Sequence, residues 1–323
     1  TEAGMKYFLF GALSTGITLY GVSLIYGLFG TLDLPSIVSI LGGGVNVMAL
    51  TLALVLVFVG FGFKCSLVPF HMWTPDVYQG APTPVAAFLS VGPKAVGFAF
   101  LLRIFVENFH GAFPGWTHLA GGIALATMTV GNLGALKQDN MKRLLAYSTI
   151  AQAGYIFVGL AVATQMGIKA SLFYILVYTL VNCGAFAAVI LIANSINSEK
   201  IADYSGLYRM SPFAAIVLSA SFLSLAGIPP LAGFMAKFYI LAAALESKYF
   251  LLSFVIVLNS VVALYYYARI VKLMFFNEPR QQIVVSKSFA ITLALILALL
   301  ANLIIGIYPA PVMSWLSKIL HVV

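Results

Sequence analysis

Charged residues are scarce in this sequence: 8% of its 323 residues are Asp, Glu, Lys or Arg, whereas 62% are hydrophobic. So much apolar surface cannot be covered by a water-compatible exterior, which excludes a soluble globular protein and predicts an integral membrane protein. A net charge of +8 would favour nucleic-acid binding in a soluble chain. Here the cations collect in short loops between apolar runs, where they set topology, and we expect no nucleic-acid partner.

Cysteine is nearly absent, with only Cys65 and Cys183 far apart and no Cys-x-x-Cys pair. This excludes a disulfide framework and a cysteine metal cluster, and we expect both thiols to pack as small apolar residues. The sequence also lacks a glycine-rich dinucleotide loop, a Walker motif and a set of iron–sulfur ligands. We therefore expect no redox active site, no metal and no cofactor bound by this chain.

Long apolar runs fill most of the chain. Each is near or above the roughly 20 residues that a helix needs to cross a bilayer. They predict an all-α, polytopic transmembrane helical bundle of about nine spans. The predicted spans are 5–29, 45–69, 83–107, 117–136, 141–163, 168–194, 212–245, 249–274 and 287–308.

Lysine and arginine are concentrated in alternate loops. Three cations crowd the short turn 137–143, and placing it on the inner side puts the cation-bearing loops 195–211 and 269–287 there too. This uneven distribution of Lys and Arg predicts that the first span begins on the inner side of the membrane and that the last span ends on the outer side. The cations left on the outer side are Arg103, Lys169, Lys248 and Lys318.

Three lysines, Lys64, Lys94 and Lys237, lie inside apolar runs. A charged side chain at mid-membrane costs about 2.5–3.5 kcal/mol on insertion scales, so such residues predict function. Lys64 ends its run and has the alternative of snorkelling to the interface. That alternative is strained for Lys94 and Lys237, which have apolar residues for about two turns on their C-terminal sides. We interpret the three as proton-handling sites.

Two of the lysine-bearing spans contain helix-breaking sequences. As one helix, 212–245 would measure about 50 Å, well beyond the apolar slab, and Pro229 and Pro230 predict where it is interrupted. The earlier counterpart runs from Lys64 into Pro69. Irregular backbone at membrane depth is tolerated only against protein or a water-filled cavity. Because the two interrupted spans cross in opposite directions, they predict inverted repeats.

Four distinctive motifs lie along the chain. They are Glu-Ala-Gly-Met-Lys-Tyr-Phe at 2–8, the proline-rich stretch at 69–85, Met-Lys-Arg-Leu-Leu-Ala-Tyr-Ser at 141–148 and Gly-Ile-Pro-Pro-Leu-Ala-Gly-Phe at 227–234. Together they resemble the motifs of the antiporter-like membrane subunits of respiratory complex I, NADH:quinone oxidoreductase, and the resemblance covers essentially the whole chain. The stretch Trp-Thr-Pro-Asp-Val-Tyr at 73–78 resembles the N-type subunit rather than its M or L relatives.

The resemblance implies roles position by position. Lys64, Lys94 and Lys237 match the lysines of the broken seventh, the eighth and the broken twelfth helix of a fourteen-helix subunit, and His71 and Tyr147 match polar positions on the same axis. The chain would correspond to the last nine helices, so its start, at Thr1 without an initiator methionine, is expected to be truncated. The carboxylate partner of Lys64 would then lie outside this sequence.

The resemblance also implies an organisation and a setting. Residues 1–110 would end the first antiporter-like repeat, 111–280 would form the second, and 281–323 a terminal helix with a short tail. The expected function is proton translocation by a membrane-arm subunit, which couples pumping through buried lysines to electron transfer elsewhere. NADH, FMN, iron–sulfur clusters and quinone would belong to partner subunits, the neighbours would be M-type and K-type subunits, and the membrane would be the bacterial inner membrane.

Other interpretations remain open. The chain is also compatible with a subunit of a multisubunit cation/proton antiporter, which shares the fold and the lysines, or with a non-pumping membrane scaffold. His71 has the alternative of bonding only to backbone at the interruption. Tyr147 has the alternative of an ordinary buried hydroxyl, and Asp76 is expected to organise the loop.

Overall fold

Every regular element in the described part of the chain is helical, which confirms the all-α prediction. The computed structural model describes residues 2–41, 43–109, 115–280 and 288–322, and these ranges contain no β-strand. A π-helical segment, Leu102–Asn108, extends α5, and a 3₁₀ turn, Ile201–Tyr204, follows α8. The helices are α1 (Glu2–Phe29), α2 (Leu34–Leu41), α3 (Val47–Cys65), α4 (Trp73–Gly80), α5 (Thr83–Leu101), α6 (Trp116–Ala135), α7 (Met141–Val162), α8 (Gln165–Ile196), α9 (Leu207–Met210), α10 (Pro212–Ala226), α11 (Ala232–Glu246), α12 (Phe250–Phe276), α13 (Phe289–Ile307) and α14 (Ala310–Val322).

Seven helices in the described residues are long and apolar enough to cross a membrane: α1, α3, α5 with its π-helical extension, α7, α8, α12 and α13. The two remaining predicted spans account for the difference from nine. Residues 212–245 form α10 and α11, of 15 residues each, which are individually too short to cross about 30 Å of hydrocarbon. Helix α6 has 20 residues, but His118, Asn132 and several glycines and threonines lower its hydropathy. The chain is a multi-pass membrane protein.

Helix α7 forms the centre of the bundle. In its most apolar 18-residue window 94% of the residues are buried, against 17% for α1 and 22% for α13. A helix that is apolar all round belongs in the interior, and small residues let its neighbours approach. A Cβ added at Gly131 of α6 would lie 2.4 Å from the Ala151 nitrogen of α7, and one at Gly154 would lie 2.5 Å from the Met128 nitrogen of α6.

The cation-rich turns meet at one end of the bundle. The Met141 N–H donates to the Glu199 carbonyl and the Ile201 N–H donates to the Asp139 carbonyl, each at 2.8 Å, and the Arg269 guanidinium donates to the carbonyl of Gln138. The three turns assigned to one side of the membrane therefore touch one another. Lys287, which the prediction counted with this group, lies outside the described residues.

The two cysteines have different environments. Cys65 is fully buried at the end of α3, as expected for a packing residue, whereas Cys183 is exposed on α8. The expectation that both pack internally is wrong for Cys183, because hydropathy alone cannot tell which face of a long apolar helix turns toward its neighbours.

Candidate functional site

The α3–α4 linker, residues 66–72, begins where α3 ends in a left-handed residue. Ser66 has φ of 59°, and its N–H bonds back to the last turn of α3, a common way for a helix to end. The linker is held from outside, because the Val68 N–H donates to Thr127 Oγ1 of α6 at 3.0 Å. The linker contains a cis peptide bond before Pro69. The carbonyls at the end of α3 are therefore available to other donors.

Lys94 of α5 uses this helix end. The side chain is buried, at 2% exposure. Its Nζ donates to the Cys65 carbonyl at 3.0 Å and to Ser66 Oγ at 2.6 Å, and Thr74 donates to the same hydroxyl at 2.7 Å. Lys94 has no ion-pair partner among the described residues. Its cationic form is supported instead by the partial negative charge of a helix C-terminus.

The α10–α11 linker, residues 227–231, is built in the same way. Gly227 is left-handed with φ of 94°, and its N–H bonds back to the carbonyls of Leu223 and Ser224. A side chain at this position would collide with Lys237, whose Cδ lies 2.9 Å from an added Cβ. The Pro229–Pro230 peptide bond of the linker is cis.

Lys237 of α11 folds back onto this linker. Its side chain is buried, its Nζ donates to the Ala226 carbonyl at 2.9 Å, and the ammonium lies 4.5 Å from the centre of the Tyr155 ring. An aromatic face attracts a cation. Both buried lysines therefore donate to the last carbonyl of a helix that stops inside the bundle.

Polar side chains extend from Lys94 into the core. Ser90, one turn before Lys94 on α5, accepts a hydrogen bond from Asn182 Nδ2 at 2.7 Å. The Tyr178 hydroxyl lies 3.0 Å from both the Ser90 carbonyl and Thr149 Oγ1, and 3.2 Å from the Asn182 amide. The Lys94 helix is thus joined to α7 and α8 by hydroxyls and amides in an apolar interior.

A second set of contacts approaches Lys237. Tyr174 donates to Gln152 Oε1 at 2.5 Å, and Gln152 Nε2 donates to the Leu225 carbonyl at 3.2 Å. That carbonyl is the neighbour of the one that holds Lys237. The ring of Tyr174 also stacks on Tyr155, with centroids 6.2 Å apart.

The two sets are adjacent because of helical spacing. Thr149 and Gln152 are one turn apart on α7, and Tyr174 and Tyr178 are one turn apart on α8, so each pair shares a helix face. The α7–α8 interface thereby brings the set that bonds to the helix of Lys94 and the set that bonds beside Ala226 onto adjacent turns. We call the residues Ser90, Thr149, Gln152, Tyr174, Tyr178 and Asn182 the polar ladder.

Residues 1–263 match the family model described as NADH:quinone oxidoreductase/Mrp antiporter, TM. The chain belongs to this family. It is 46% identical over 310 residues to NADH-quinone oxidoreductase subunit N of Desulforamulus reducens, which covers 96% of this chain and 65% of that protein. The chain therefore spans just under two thirds of this relative.

Solved structures show the same similarity. A chain of respiratory complex I from Thermus thermophilus with bound aureothin is 36% identical, with a TM-score of 0.83, over 97% of this chain and 68% of that one. A chain of the Mrp complex from Dietzia sp. DQ12-45-1b is 25% identical, with a TM-score of 0.87, over 97% of this chain and 66% of that one.

Lys64 occupies a different environment from the other two lysines of this antiporter-family chain. It lies in the last turn of α3 and is exposed. It lines a groove of about 710 Å³ between α1 and α3, with Ser14, Thr15 and Thr18 among the other lining residues.

The auxiliary residues are also placed apart from the two buried lysines. His71 lies in the α3–α4 linker, half-buried, with Nδ1 shielded from solvent. Tyr147 of α7 packs its ring against Gly134 of α6, where an added Cβ would lie 2.4 Å from the ring. The polar ladder instead uses the following positions of α7, Thr149 and Gln152.

Sequence reasoning missed the polar ladder and two tyrosines near it. Tyr266 and Tyr267 of α12 are both fully buried. Tyr267 shares a hydrogen bond with Ser148, and Tyr266 donates to Asn132. A usable signal was the i, i+4, i+8 spacing of Tyr174, Tyr178 and Asn182 on an otherwise apolar helix.

An ion-pair cluster ties α4 to its neighbours. Asp76 bonds to Lys6 of α1 and to Arg143 of α7, each at 2.6 Å. The hydrogen bond from Lys6, followed by that from Arg143, holds the pKa of the Asp76 carboxyl below its usual value. The sequence led us to expect that Asp76 organises a local loop. That expectation is wrong, because Asp76 instead connects α4 to α1 and α7. Nearby, Lys142 is buried and pairs with Glu199 at 2.5 Å.

Proposed function

We propose that this chain is a proton-translocating, antiporter-like membrane-arm subunit of NADH:quinone oxidoreductase, of the N type, and that Lys64, Lys94 and Lys237 carry the protons. One observation supports this most directly. Lys94 and Lys237 are buried cations that donate to helix-end carbonyls, and the polar ladder runs between them. A purely structural core would gain nothing from such costly groups.

The physical basis is a balance between two effects on each buried lysine. Removal from water disfavours the ammonium form, whereas a helix C-terminus or a nearby carboxylate favours it. A change of hydration or the movement of a neighbouring charge then shifts the balance and releases or captures a proton. The membrane potential opposes each transferred charge by about 2.3 kcal/mol per 100 mV.

The polar ladder supports lateral transfer between the two lysines. The hydroxyls of Ser90, Thr149, Tyr174 and Tyr178 can each donate and accept a hydrogen bond, and Gln152 and Asn182 orient them. Lys64, in its groove beside α1, would form the next station and receive its carboxylate partner from another segment or subunit. His71 and Tyr147 would tune the two ends of this axis.

The architecture in this proposal consists of two inverted repeats. The pairs α3–α4 and α10–α11 are its discontinuous spans, interrupted at Pro69 and at Pro229 and Pro230. The first repeat includes 1–110, the second 111–280, and 281–323 follows them. NADH, FMN, iron–sulfur clusters and quinone would be bound by partner subunits, with M-type and K-type neighbours in a bacterial inner membrane.

Arginine substitution of a buried lysine tests this function. Arginine keeps the positive charge but does not release its proton. In the assembled complex in proteoliposomes, Lys94→Arg and Lys237→Arg should therefore lower the number of protons moved per electron. Lys272→Arg, at an exposed lysine of α12, is the control and should leave that number unchanged. A normal proton-to-electron ratio in Lys237→Arg would contradict the relay.

Similarity to the Mrp complex supports a second candidate, a subunit of a multisubunit cation/proton antiporter. That function predicts sodium uptake driven by a pH gradient in vesicles that contain the assembled complex, with no dependence on NADH. The stretch 73–78 and the similarity to subunit N favour the first candidate. A scaffold without pumping predicts that leucine at all three lysines leaves proton transport intact.

A further inference from the structure

Helix α13 contains a buried amide that its composition does not require. The most apolar 18-residue stretch of α13 has the highest mean hydropathy of the seven spans, and only 22% of its residues are buried. Asn302 is nevertheless 2% exposed. Inside a bilayer an asparagine in such a helix is stable only where its polar atoms find partners on another helix.

Asn302 finds those partners at the α10–α11 linker. Its Oδ1 accepts a hydrogen bond from Ser224 Oγ of α10 at 2.8 Å and another from the Ala232 N–H of α11 at 3.1 Å. Its Nδ2 lies 3.4 Å from the Ala220 carbonyl of α10. One side chain therefore bonds to both helices that flank the linker.

These contacts satisfy a helix end that has no cap of its own. The first N–H groups of a helix lack intrahelical acceptors, and the residue before α11 is Leu231, which has no polar side chain. Asn302 supplies the acceptor for Ala232, and Ser224 Oγ supplies the acceptor for the Gly233 N–H at 2.9 Å.

Close packing places α13 directly against the linker. Gly306 lies one turn after Asn302, and a Cβ there would be 2.1 Å from the Pro230 carbonyl oxygen. A Cβ at Gly233 would be 1.9 Å from the Ser224 carbonyl oxygen. The geometry of the linker is thus fixed by the close packing of α10 against α11 and of α13 against the linker. The polar contacts from α13 come from Asn302.

We propose that Asn302 is a positioning residue for Lys237. By bonding to α10 and α11 together, it sets the distance between the last carbonyl of α10, at Ala226, and the ammonium that α11 carries. The proposal rests on the proposed function and assigns α13 a part in it. The linker opens when the Oδ1 acceptor is lost, and Lys237 then no longer meets its carbonyl.

The test compares three variants of the assembled complex in inside-out membrane vesicles. Asn302→Leu keeps the approximate volume and removes the acceptor, whereas Asn302→Asp keeps an oxygen at the Oδ1 position. Leu295→Ala removes a fully buried side chain of the same helix and leaves the linker untouched. Electron transfer and proton uptake are measured together, and thermal stability is measured on each purified complex.

We expect Asn302→Leu to lower proton uptake per electron about twofold or more, the scale of one or two lost buried hydrogen bonds. Asn302→Asp should restore most of it, and Leu295→Ala should lower thermal stability without changing the ratio. Equal ratios in Asn302→Leu and Leu295→Ala would overturn the positioning role. If Lys237→Arg also pumps normally, the proposed function fails; if only Asn302→Leu does, that function stands without Asn302.

Discussion

At the scale of single residues, the informative feature is how the buried cations are supported. Lys94 and Lys237 take no part in the ion pairs of Arg143 with Asp76 and of Lys142 with Glu199, where carboxylates neutralise the charge. The burial of Lys94 and Lys237 follows from the sequence, because each has apolar residues for about two turns on its C-terminal side, whereas Lys64 ends its run and is exposed. The acceptors of the two buried lysines do not follow from it, since a main-chain carbonyl leaves no trace in the amino-acid pattern.

Ser66 offers a residue-scale test of this support. Ser66→Ala removes an acceptor for Lys94 and a partner for Thr74, and it keeps a Cβ at φ of 59°. We expect a loss of about 1–3 kcal/mol in the free energy of unfolding. Ser66→Gly also lacks the hydroxyl but relieves the left-handed conformation, so it should lose about 1 kcal/mol less. Thermal unfolding in detergent ranks the two variants, and an equal loss would show that backbone conformation does not contribute.

Asp76 provides a pH-dependent test. Its folded pKa is depressed by Lys6 and Arg143, so the stability it contributes is present above its unfolded pKa and is lost as pH falls through the folded value. The free energy of unfolding of the wild type should exceed that of Asp76→Asn by about 0.5–1 kcal/mol at pH 7. The difference should begin to fall below about pH 4, near the unfolded pKa, and should vanish only below the depressed folded pKa. Chemical unfolding at several pH values measures the difference. A gap that stays constant would argue against the ion pairs as its source.

At the scale of helices, close approach between elements depends on small residues. The α6–α7 pair packs through Gly131 and Gly154, whose added Cβ atoms would meet backbone of the opposite helix. In a membrane, small residues drive helix association because they let backbones come close.

A matched pair of glycines in α6 tests this packing. Gly131→Ala should lower the free energy of unfolding by about 1–3 kcal/mol, because the methyl meets the Ala151 backbone. Gly122→Ala on the same helix has open space around it, and it should be neutral or stabilising by up to about 1 kcal/mol. The two thermal unfolding midpoints decide the comparison, and similar shifts would contradict a packing cause.

Element boundaries could be predicted best where composition changes sharply. Helix α7 (Met141–Val162) and α5 with its extension coincide closely with the predicted spans 141–163 and 83–107. The short helices α2, α4, α9 and α14 were missed, and the stretch that forms α4 was expected to be a loop, since hydropathy cannot separate a short helix from a loop. The polar ladder was missed for a related reason, because a tyrosine or glutamine in an apolar helix does not reveal which neighbour it faces.

At the scale of the whole molecule, the distribution of cations fixes orientation. The turns around Asp139, Lys200 and Arg269 lie together at one end, whereas the turn between α7 and α8 lies at the other end of α7. Positive charge collects on the inner side of membrane proteins. The positive-inside rule therefore predicts that the cation-rich end of the described bundle faces the inner side of the membrane.

Cysteine labelling checks this orientation. In a Cys183→Ser background, Lys272→Cys and Lys200→Cys should react with a membrane-impermeant maleimide in inside-out vesicles, because both positions belong to the cation-rich end. Gln165→Cys, at the exposed first residue of α8, should react only in right-side-out vesicles. Labelling of Lys272→Cys and Gln165→Cys from the same side would refute the topology.

The carbonyls of Cys65 and Ala226 survive every replacement of their own side chains. A substitution at either position changes side-chain packing but leaves the acceptor oxygen in place, so an alanine scan does not remove the bond to the ammonium. Only an amide-to-ester exchange at the following residue, or an insertion that displaces the helix end, weakens these acceptors. The two cations are thus held by main-chain atoms, whose positions depend on where each helix ends.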